Sequence, residues 1–244
     1  MGREAPQKTL CLVPCFNEGE NLPHLLREIQ AANLSPGCDW ALLDDGSTDG
    51  SSSILKNSGF PLIIHPKNAG YGAAVKSGFR YARERGYVNL AVFPGDRQRS
   101  LADLNLLLKE MENRKADLVV GSKTHAFGKI PWRRALGNRL FSAFAGLFWR
   151  SPIRDVLSGF KVYRVAAALP FLDFLPNRYE FDLVFSLYCG RFGLSVIEVP
   201  VSVKYHAHST KMKSEVGVGL RMLVASLKSL CGRNVRPLPH PLGE

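Results

Sequence analysis

The sequence of 244 residues lacks the long apolar runs that carry a chain across a membrane. No run reaches the roughly 18 apolar residues that a bilayer-spanning helix needs, so we expect no transmembrane helix. The N-terminal stretch MGREAPQKTL also leads directly into a strand-like run, without the apolar core of a secretory signal peptide. Both absences predict a protein of the cytosolic side.

Cysteine is scarce, which excludes a disulfide scaffold. The five cysteines are odd in number and scattered along the chain, at Cys11, Cys15, Cys38, Cys189 and Cys231. Cys11 and Cys15 lie four residues apart, but no second pair completes a zinc site of the usual spacing. We therefore expect reduced and mostly buried thiols.

The two common glycine-rich signatures for phosphate binding are also missing. A dinucleotide-binding fold would carry G-x-G-x-x-G directly after its first strand, where this chain has VPCFNEGEN. Gly70 and Gly72 follow the third predicted strand, but Val75 stands where the third glycine would be. No G-x-x-x-x-G-K-[ST] phosphate loop is present.

Acidic residues are few in the second half of the chain. Residues 1–122 hold 14 Lys and Arg against 14 Asp and Glu, whereas residues 123–244 hold 18 against 7. The whole net charge of +11 therefore lies in the second half. This asymmetry predicts an anionic partner, such as a diphosphate, a lipid phosphate or a membrane surface, with a merely solvated basic face as the alternative. Nucleic acid is not expected, because no aromatic and basic platform accompanies the charge.

Apolar strand-like runs alternate with helical patterns. Apolar residues at helical spacing predict one helix that begins at Leu22 and others over about 72–85 and 101–114. Further helical segments are predicted near 134–149, 181–191 and 214–231. The strand-like runs lie at 9–15, 39–45, 61–66, 88–93, 116–122 and 195–203. The alternation predicts an α/β fold with a doubly wound, mostly parallel sheet flanked by helices.

Unusual polar residues follow the first four predicted strands. They are Asn17 and Glu18, Asp44 and Asp45, Asn68 and Gly70, and Asp96 and Gln98. In an open α/β sheet, ligands bind outside the carboxyl ends of the strands, so these residues predict a ligand site. Carboxylates there suit ribose hydroxyls or a divalent cation that bridges diphosphate oxygens. Ordinary turn and helix-cap chemistry is the alternative for the DGSTDGS stretch.

At this point the chain resembles a known family. Its motifs occur in the order found in family-2 nucleotide-sugar glycosyltransferases, and most closely in the dolichol-phosphate mannose synthase group, over about residues 9 to 212. The motifs are VPCFNEGENL, LLDDGSTDGS, NAGYGAAVKSGF, PGDRQ, SGFKVYR, FDLVF, IEVPVSV and STKM. The resemblance implies an A-type glycosyltransferase fold, inverting transfer of a hexose from a nucleoside-diphosphate sugar, and a divalent cation (Mg²⁺ or Mn²⁺).

The resemblance also implies roles for individual residues. Asp96 and Gln98 match the metal segment, and Asp96 and Lys211 match groups that act on the donor diphosphate. Asp182 would serve as a catalytic base if the acceptor is a hydroxyl, although it could equally cap its own helix. The implied donor-binding residues are Pro14, Phe16, Glu18, Leu42, Asp44, Asp45, Gly95, Asp96, Gln98, Lys123 and Lys211.

Three positions depart from the family pattern. Pro94 stands where the family has the first aspartate of D-x-D, so the metal segment loses a carboxylate. Lys123 replaces an arginine, which keeps the charge but not the bidentate fork, and Tyr205 replaces another arginine. These replacements would change the affinity for the metal ion and the preference for a particular sugar donor. They also support an alternative, a nucleotide-sugar binding module that has lost catalysis.

The basic second half bears on the acceptor. Between residues 123 and 164 the chain has nine basic residues and a single acid, Asp155. A lipid phosphate is already ionised and needs no strong base, and Arg133, Arg139 and Arg154, together with neighbouring arginines, would hold it. We therefore expect a polyprenyl phosphate acceptor. A saccharide or another hydroxyl remains the alternative.

The predicted organisation is a glycosyltransferase domain over 1–212, with a nucleotide-binding half (1–122) and an acceptor half (123–212), followed by an amphipathic helix and tail over 213–244. In that last segment an apolar stripe consists of Val216, Leu220, Leu223, Val224 and Leu227. Arg221 and Lys228 lie off the stripe. A basic amphipathic helix of this kind binds anionic membrane surfaces, so we expect a peripheral protein on the cytosolic face of a membrane. A helix packed on the sheet is the alternative.

Overall fold

The structure is a computed structural model that describes residues 8–32, 34, 36–122, 132–149, 151, 153–202, 221, 222 and 224–226. The strands are β1 Thr9–Cys15, β2 Cys38–Asp44, β3 Leu62–Ile64, β4 Asn89–Val92, β5 Leu118–Ser122, β6 Lys161–Arg164 and β7 Val196–Pro200. The helices are α1 Leu22–Gln30, α2 Ser51–Lys56, α3 Tyr71–Glu84, α4 Leu101–Arg114, α5 Trp132–Trp149, α6 Val165–Ala168 and α7 Glu180–Phe192, and a 3-10 helix covers Leu169–Phe174. The strands form one sheet in the order β3-β2-β1-β4-β6-β5-β7.

Helices cover both faces of the sheet, as predicted. Successive residues of a strand point to opposite faces, and β1 sends Leu10 and Leu12 into one core cluster and Cys11 and Val13 into the other. The first cluster contains the apolar faces of α3 and α7, and the second contains those of α1 and α4. Both faces of β1 are therefore buried, which explains its continuous apolar sequence.

The sheet is mostly parallel, and one strand is the exception. β6 runs antiparallel to both of its neighbours, β4 and β5, whereas the pairs β1–β2, β1–β4, β2–β3 and β5–β7 are parallel. The sequence pattern did not predict β6, because its four residues, KVYR, begin and end with a charge. Short runs of this kind lack the apolar periodicity that marks a strand.

The first residue of β6 is a lysine that takes part in a buried ion pair. Lys161 is fully buried, and its Nζ donates to Asp182 Oδ1 at 3.0 Å and to Ser186 Oγ at 3.3 Å. The hydroxyl of Tyr163 donates to the same Asp182 oxygen at 3.0 Å. These bonds join β6 to α7. A buried charge is tolerated only when it is paired and hydrogen-bonded, and here both partners are.

Little of the predicted C-terminal segment (213–244) belongs to the described residues. In that short part, Met222 is buried in the first core cluster, and Arg221 Nε contacts Glu180 Oε1 at 2.9 Å. Val224 is exposed. Of the stripe proposed for membrane contact, Val216, Leu220, Leu223 and Leu227 lie outside the described residues, as do Lys228 and Arg233. Among the helices that the structure describes, none is long and apolar enough to span a bilayer.

The Lys161–Asp182 pair leads to a prediction about stability. Lys161→Met should lower the free energy of unfolding by about 3–5 kcal/mol, because it leaves the Asp182 carboxylate buried without its cation. The double variant Lys161→Met with Asp182→Leu should recover much of that loss, since an apolar pair has no charge to desolvate. Urea unfolding followed by circular dichroism measures both. A Lys161→Met variant as stable as the parent would show that the pair contributes nothing.

Candidate active site

The candidate site lies at the carboxyl end of β1, where the strand order changes direction. β2 and β3 lie on one side of β1 and β4 lies on the other, so the chain connections diverge at this point. Asp44 ends β2 level with Cys15 of β1, and Asp96 follows β4 on the opposite side. A Cβ placed on Gly95 would stand 3.3 Å from the Pro14 carbonyl oxygen, so the segment after β4 packs closely against the end of β1. Open α/β sheets bind ligands at such crevices.

Asp44 is held as a carboxylate at the end of β2, where it is almost fully buried. Its Oδ1 accepts a hydrogen bond from the Ser47 backbone N–H at 2.9 Å, and its Oδ2 accepts one from the Ser52 hydroxyl. Burial alone would raise the pKa of Asp44, but these hydrogen bonds outweigh it and hold the pKa below its usual value. The group is therefore ionised at neutral pH and can only accept hydrogen bonds, as binding of a ribose hydroxyl requires.

The DGSTDGS stretch joins the loop after β1 to the loop after β2. The backbone N–H groups of Asn17, Glu18 and Gly19 donate to the side chains of Ser47 (3.0 Å), Ser51 (2.9 Å) and Asp49 (3.1 Å) respectively. In return, the Thr48 N–H donates to Asn17 Oδ1 at 2.8 Å. Asn17 adopts a left-handed backbone conformation, with φ at 55°. The hydroxyls and acids of this stretch thus fix the position of a neighbouring loop, which exceeds ordinary turn chemistry.

Asp45 accepts hydrogen bonds from a different loop, the one between β3 and α3. Its Oδ1 contacts His65 Nδ1 at 2.7 Å and accepts from the Ala69 N–H at 2.9 Å, while its Oδ2 accepts from the Gly70 N–H at 2.9 Å. The adjacent aspartates therefore have separate partners. Asp45 anchors the N-terminus of α3, and its predicted role in donor binding stays a prediction.

Asp96 follows β4, which lies on the other side of β1 from β2, and begins a tight turn. Its Oδ1 accepts from the Gln98 backbone N–H at 3.0 Å. Within the described residues, no group of three His, Cys, Asp or Glu side chains could hold a metal ion by itself. Mg²⁺ commonly uses one or two carboxylates and completes its shell with substrate phosphates and water. The single carboxylate next to Pro94 fits a cation that binds together with a diphosphate.

Tyr179 joins this site, although the sequence pattern did not single it out. It is 52% exposed, and its ring stacks on that of Tyr71 at 6.0 Å with an interplanar angle of 11°. Burial raises the pKa of Tyr179, and the charges of Glu18, Asp96 and Asp45 raise it further. The start of α7 therefore brings an aromatic ring close to acids that follow three different strands. The available signal was an aromatic residue in each of two stretches, NAGYG and RYEFD.

The remaining predicted donor residues occupy different environments. Glu18 accepts from Asn21 Nδ2 at 2.6 Å, and Phe16 is 37% exposed at the end of β1. Leu42 is fully buried, so its side chain packs in the core beneath Asp44 and not in the crevice. Asp182 is also buried, in its pair with Lys161. This pairing supports a structural role for Asp182 instead of the base that a hydroxyl acceptor would need.

The predicted phosphate-holding residues are described only in part. Arg139 on α5 and Arg154 are exposed, and the Arg154 carbonyl accepts from the Ser142 hydroxyl of α5 at 2.7 Å. The side chain of Arg133, and the whole of Lys123 and Lys211, lie outside the described residues. The structure thus places Asp44 and Asp96 at the same edge of the sheet, and their roles in binding, like those of the basic residues, stay predictions.

The fold matches solved glycosyltransferases. One similar structure is glucosyl-3-phosphoglycerate synthase from Mycobacterium tuberculosis in complex with Mn²⁺, uridine-diphosphate and phosphoglyceric acid, with a TM-score of 0.66, 16% identity, and coverage of 96% of this chain and 80% of that one. Mannosyl-3-phosphoglycerate synthase from Rubrobacter xylanophilus matches with a TM-score of 0.67 and 15% identity over 98% and 79% of the two chains. At this identity the match concerns the fold, which is the A-type glycosyltransferase fold that the sequence predicted.

Relatives by sequence include enzymes named for transfer to polyprenyl phosphates. The polyprenol monophosphomannose synthase of Mycolicibacterium smegmatis is 29% identical over 209 residues, which cover 80% of this chain and 77% of the relative. The undecaprenyl-phosphate mannosyltransferase of Micrococcus luteus is 27% identical over 205 residues, which cover 80% and 83%. The family model for glycosyl transferase family 2 matches residues 11–169. The chain therefore belongs to glycosyl transferase family 2 and is a nucleotide-sugar glycosyltransferase, as its motifs predicted.

Proposed function

We propose that this protein transfers a hexose, with inversion, from a nucleoside-diphosphate sugar to a polyprenyl phosphate at the cytosolic face of a membrane. The observation that carries the donor half of the proposal is the placement of Asp44 at the end of β2 and of Asp96 after β4, on either side of β1 at the carboxyl edge of the sheet. The acceptor half draws support from the names of the two bacterial relatives.

The donor would bind with its nucleoside toward Asp44 and its diphosphate toward Asp96. The ionised Asp44 suits a ribose, which offers hydroxyl donors, and the half-exposed Phe16 and Tyr179 offer apolar surface nearby. Asp96 and Gln98 would hold a divalent cation, which supplies positive charge to the diphosphate oxygens. Lys123 and Lys211 would add further positive charge.

In the reaction, an oxygen of the acceptor forms a bond to the anomeric carbon as the bond from that carbon to the diphosphate oxygen breaks. The nucleoside diphosphate leaves with the electron pair, so the active site must stabilise the negative charge that develops on it. A phosphate acceptor is an anion already and needs no proton removed. The burial of Asp182 in its pair with Lys161 favours such an acceptor over a hydroxyl, which would need a base.

Nucleotide binding should depend on Asp44. Asp44→Ala should weaken the affinity for uridine or guanosine diphosphate by about 1–3 kcal/mol, the scale of a hydrogen bond to a charged group. Isothermal calorimetry on the folded variant measures it. Asp39→Ala is the matched control, since Asp39 is an exposed aspartate near the other end of the same strand. Equal affinities for both variants and the parent would leave Asp44 with a structural role only.

Turnover should require a divalent cation and Asp96. Asp96→Asn should lower kcat by about 10²–10³, the range for loss of one group that stabilises transition-state charge. A chelator should abolish turnover of the parent, and added Mg²⁺ or Mn²⁺ should restore it. Asp173→Asn removes an exposed carboxylate of the 3-10 helix and should leave turnover unchanged. Undiminished turnover in chelator would refute metal dependence.

The acceptor is tested by extracting product into an organic phase. The parent protein is incubated with Mg²⁺, a panel of radiolabelled nucleotide sugars, and either a polyprenyl phosphate or the corresponding polyprenol. We expect a labelled lipid only with the phosphate. Label on polyprenol or on a free saccharide would point to a hydroxyl acceptor. Donor binding by calorimetry without turnover of any donor would instead indicate a binding module.

A further inference from the structure

Helix α5 carries an exposed apolar stripe that the described residues leave uncovered. Leu136, Leu140 and Leu147 are 49%, 63% and 77% exposed. At 100° per residue these three positions lie within about 40° of one another around the helix axis, and they extend over about 16 Å of its length. Exposed leucines that line one face of a helix form a continuous apolar surface, unlike isolated apolar residues on a protein surface.

The opposite side of α5 faces the protein core, so the three leucines point away from it. Ala145 is fully buried and belongs to the first core cluster, and Phe141 packs against that cluster. The Ser142 hydroxyl donates to the Arg154 carbonyl at 2.7 Å, and the Ser151 N–H donates to the Ala145 carbonyl at 3.2 Å. These contacts anchor the inner face, and rotating the helix to bury the leucines would break them.

Charge favours a membrane as the partner of this stripe. Residues 123–164, which include α5, contain nine basic residues and one acid. Arg139 lies on α5 between Leu136 and Leu140 and is exposed. An apolar helix face with basic residues around it is the pattern of a helix that lies in the plane of an anionic bilayer surface. α5 does not qualify as a membrane span.

The C-terminal helix shows less of this pattern in its described part. Met222 is buried in the core, Ser226 is buried, and Arg221 is paired with Glu180. The side chains of these three residues make their contacts within the protein. Met222, Ser226 and Arg221 therefore support packing on the fold, the alternative considered for this helix, whereas Val224 of the predicted stripe is exposed. Among the described residues, α5 exposes three leucines against this one valine.

We propose that α5 is the membrane-docking surface of this protein and that it inserts Leu136, Leu140 and Leu147 into the interface of an anionic bilayer. The inference rests on the proposed function, because a lipid acceptor requires the enzyme to meet a membrane. It goes further in naming the surface that does so. Docking through α5 would also place the arginines of the acceptor half next to lipid phosphates.

The test compares leucine variants in vesicle flotation. The parent should float at low salt with vesicles of phosphatidylcholine and phosphatidylglycerol, and binding should fall with pure phosphatidylcholine or high salt. Replacing Leu136, Leu140 and Leu147 by Ser should reduce the bound fraction at least tenfold. Leu106→Ser is the matched control, since Leu106 is an exposed leucine of α4, and it should bind like the parent. Replacing Arg221, Lys228 and Arg233 by Gln tests the C-terminal helix in the same assay.

The outcomes separate this inference from the proposed function. Binding lost in the α5 variant and kept in the Leu106 and C-terminal variants supports the inference. Binding kept in the α5 variant, or no vesicle binding by the parent, overturns it. Nucleoside-diphosphate affinity without vesicles is measured on the same samples and should stay unchanged. A parent protein that does not bind nucleoside diphosphate would count against the proposed function and not against membrane docking.

A second variant keeps the inference testable if the triple substitution fails to fold. Leu147→Trp places a fluorescent reporter at the most exposed of the three positions. Addition of anionic vesicles should shift its emission to shorter wavelength, and brominated lipids should quench it, because the ring enters an apolar environment. Leu106→Trp should show neither change beyond that of the native tryptophans. Equal responses from the two variants would overturn the inference.

Discussion

The structure around the candidate site depends on one constraint: buried carboxylates must be met by hydrogen-bond donors. Asp44 and Asp45 are 1% and 4% exposed at the end of a parallel strand. Asp44 takes its donors from the loop that leads into α2, and Asp45 takes its donors from the loop that leads into α3. The loop after β1 is then bonded to the side chains of Ser47, Asp49 and Ser51. Satisfying two adjacent acids therefore sets the geometry of three loops at one edge of the sheet.

The two buried aspartates bond to separate elements around the site. Asp45 accepts hydrogen bonds from the loop that leads into α3, whereas Asp44 accepts them from Ser47 and Ser52. The Gly72 position shows how close the supporting loops are, since a Cβ there would come within 2.4 Å of the Pro176 carbonyl oxygen. That approach brings the start of α7, with Tyr179, next to α3 and the strand ends. The site is thus assembled from distant parts of the chain.

The two halves of the chain differ in charge, which fits the different partners proposed for them. The first half is neutral overall, and Asp44, Asp45 and Asp96 are among its acids that lie at strand ends, where a sugar nucleotide and a cation would bind. The second half carries the excess of positive charge, and it also contributes the exposed leucines of α5 and the buried Lys161–Asp182 pair. Burial of that pair removes one lysine and one aspartate from the surface. The excess of positive charge in this half therefore comes from its eleven arginines and its six other lysines.

The amino-acid sequence by itself determined the fold class, the approximate positions of the five strands and of α1, α3 and α4 in the first half, and the edge of the sheet where Asp44 and Asp96 lie. Apolar periodicity reports which faces of an element are buried, and polar residues at strand ends report the ligand edge, so local patterns were sufficient. Only the tertiary structure decided that β6 inserts antiparallel between β4 and β5, that Asp45 binds the α3 loop, that Asp182 pairs with Lys161, and that Tyr179 joins the site. Each of these depends on contacts between residues far apart in sequence, up to 108 positions for the Tyr71–Tyr179 stack. A local sequence pattern carries no information about such partners. A charge can be buried only where another residue pairs with it, and here that residue comes from a distant part of the chain.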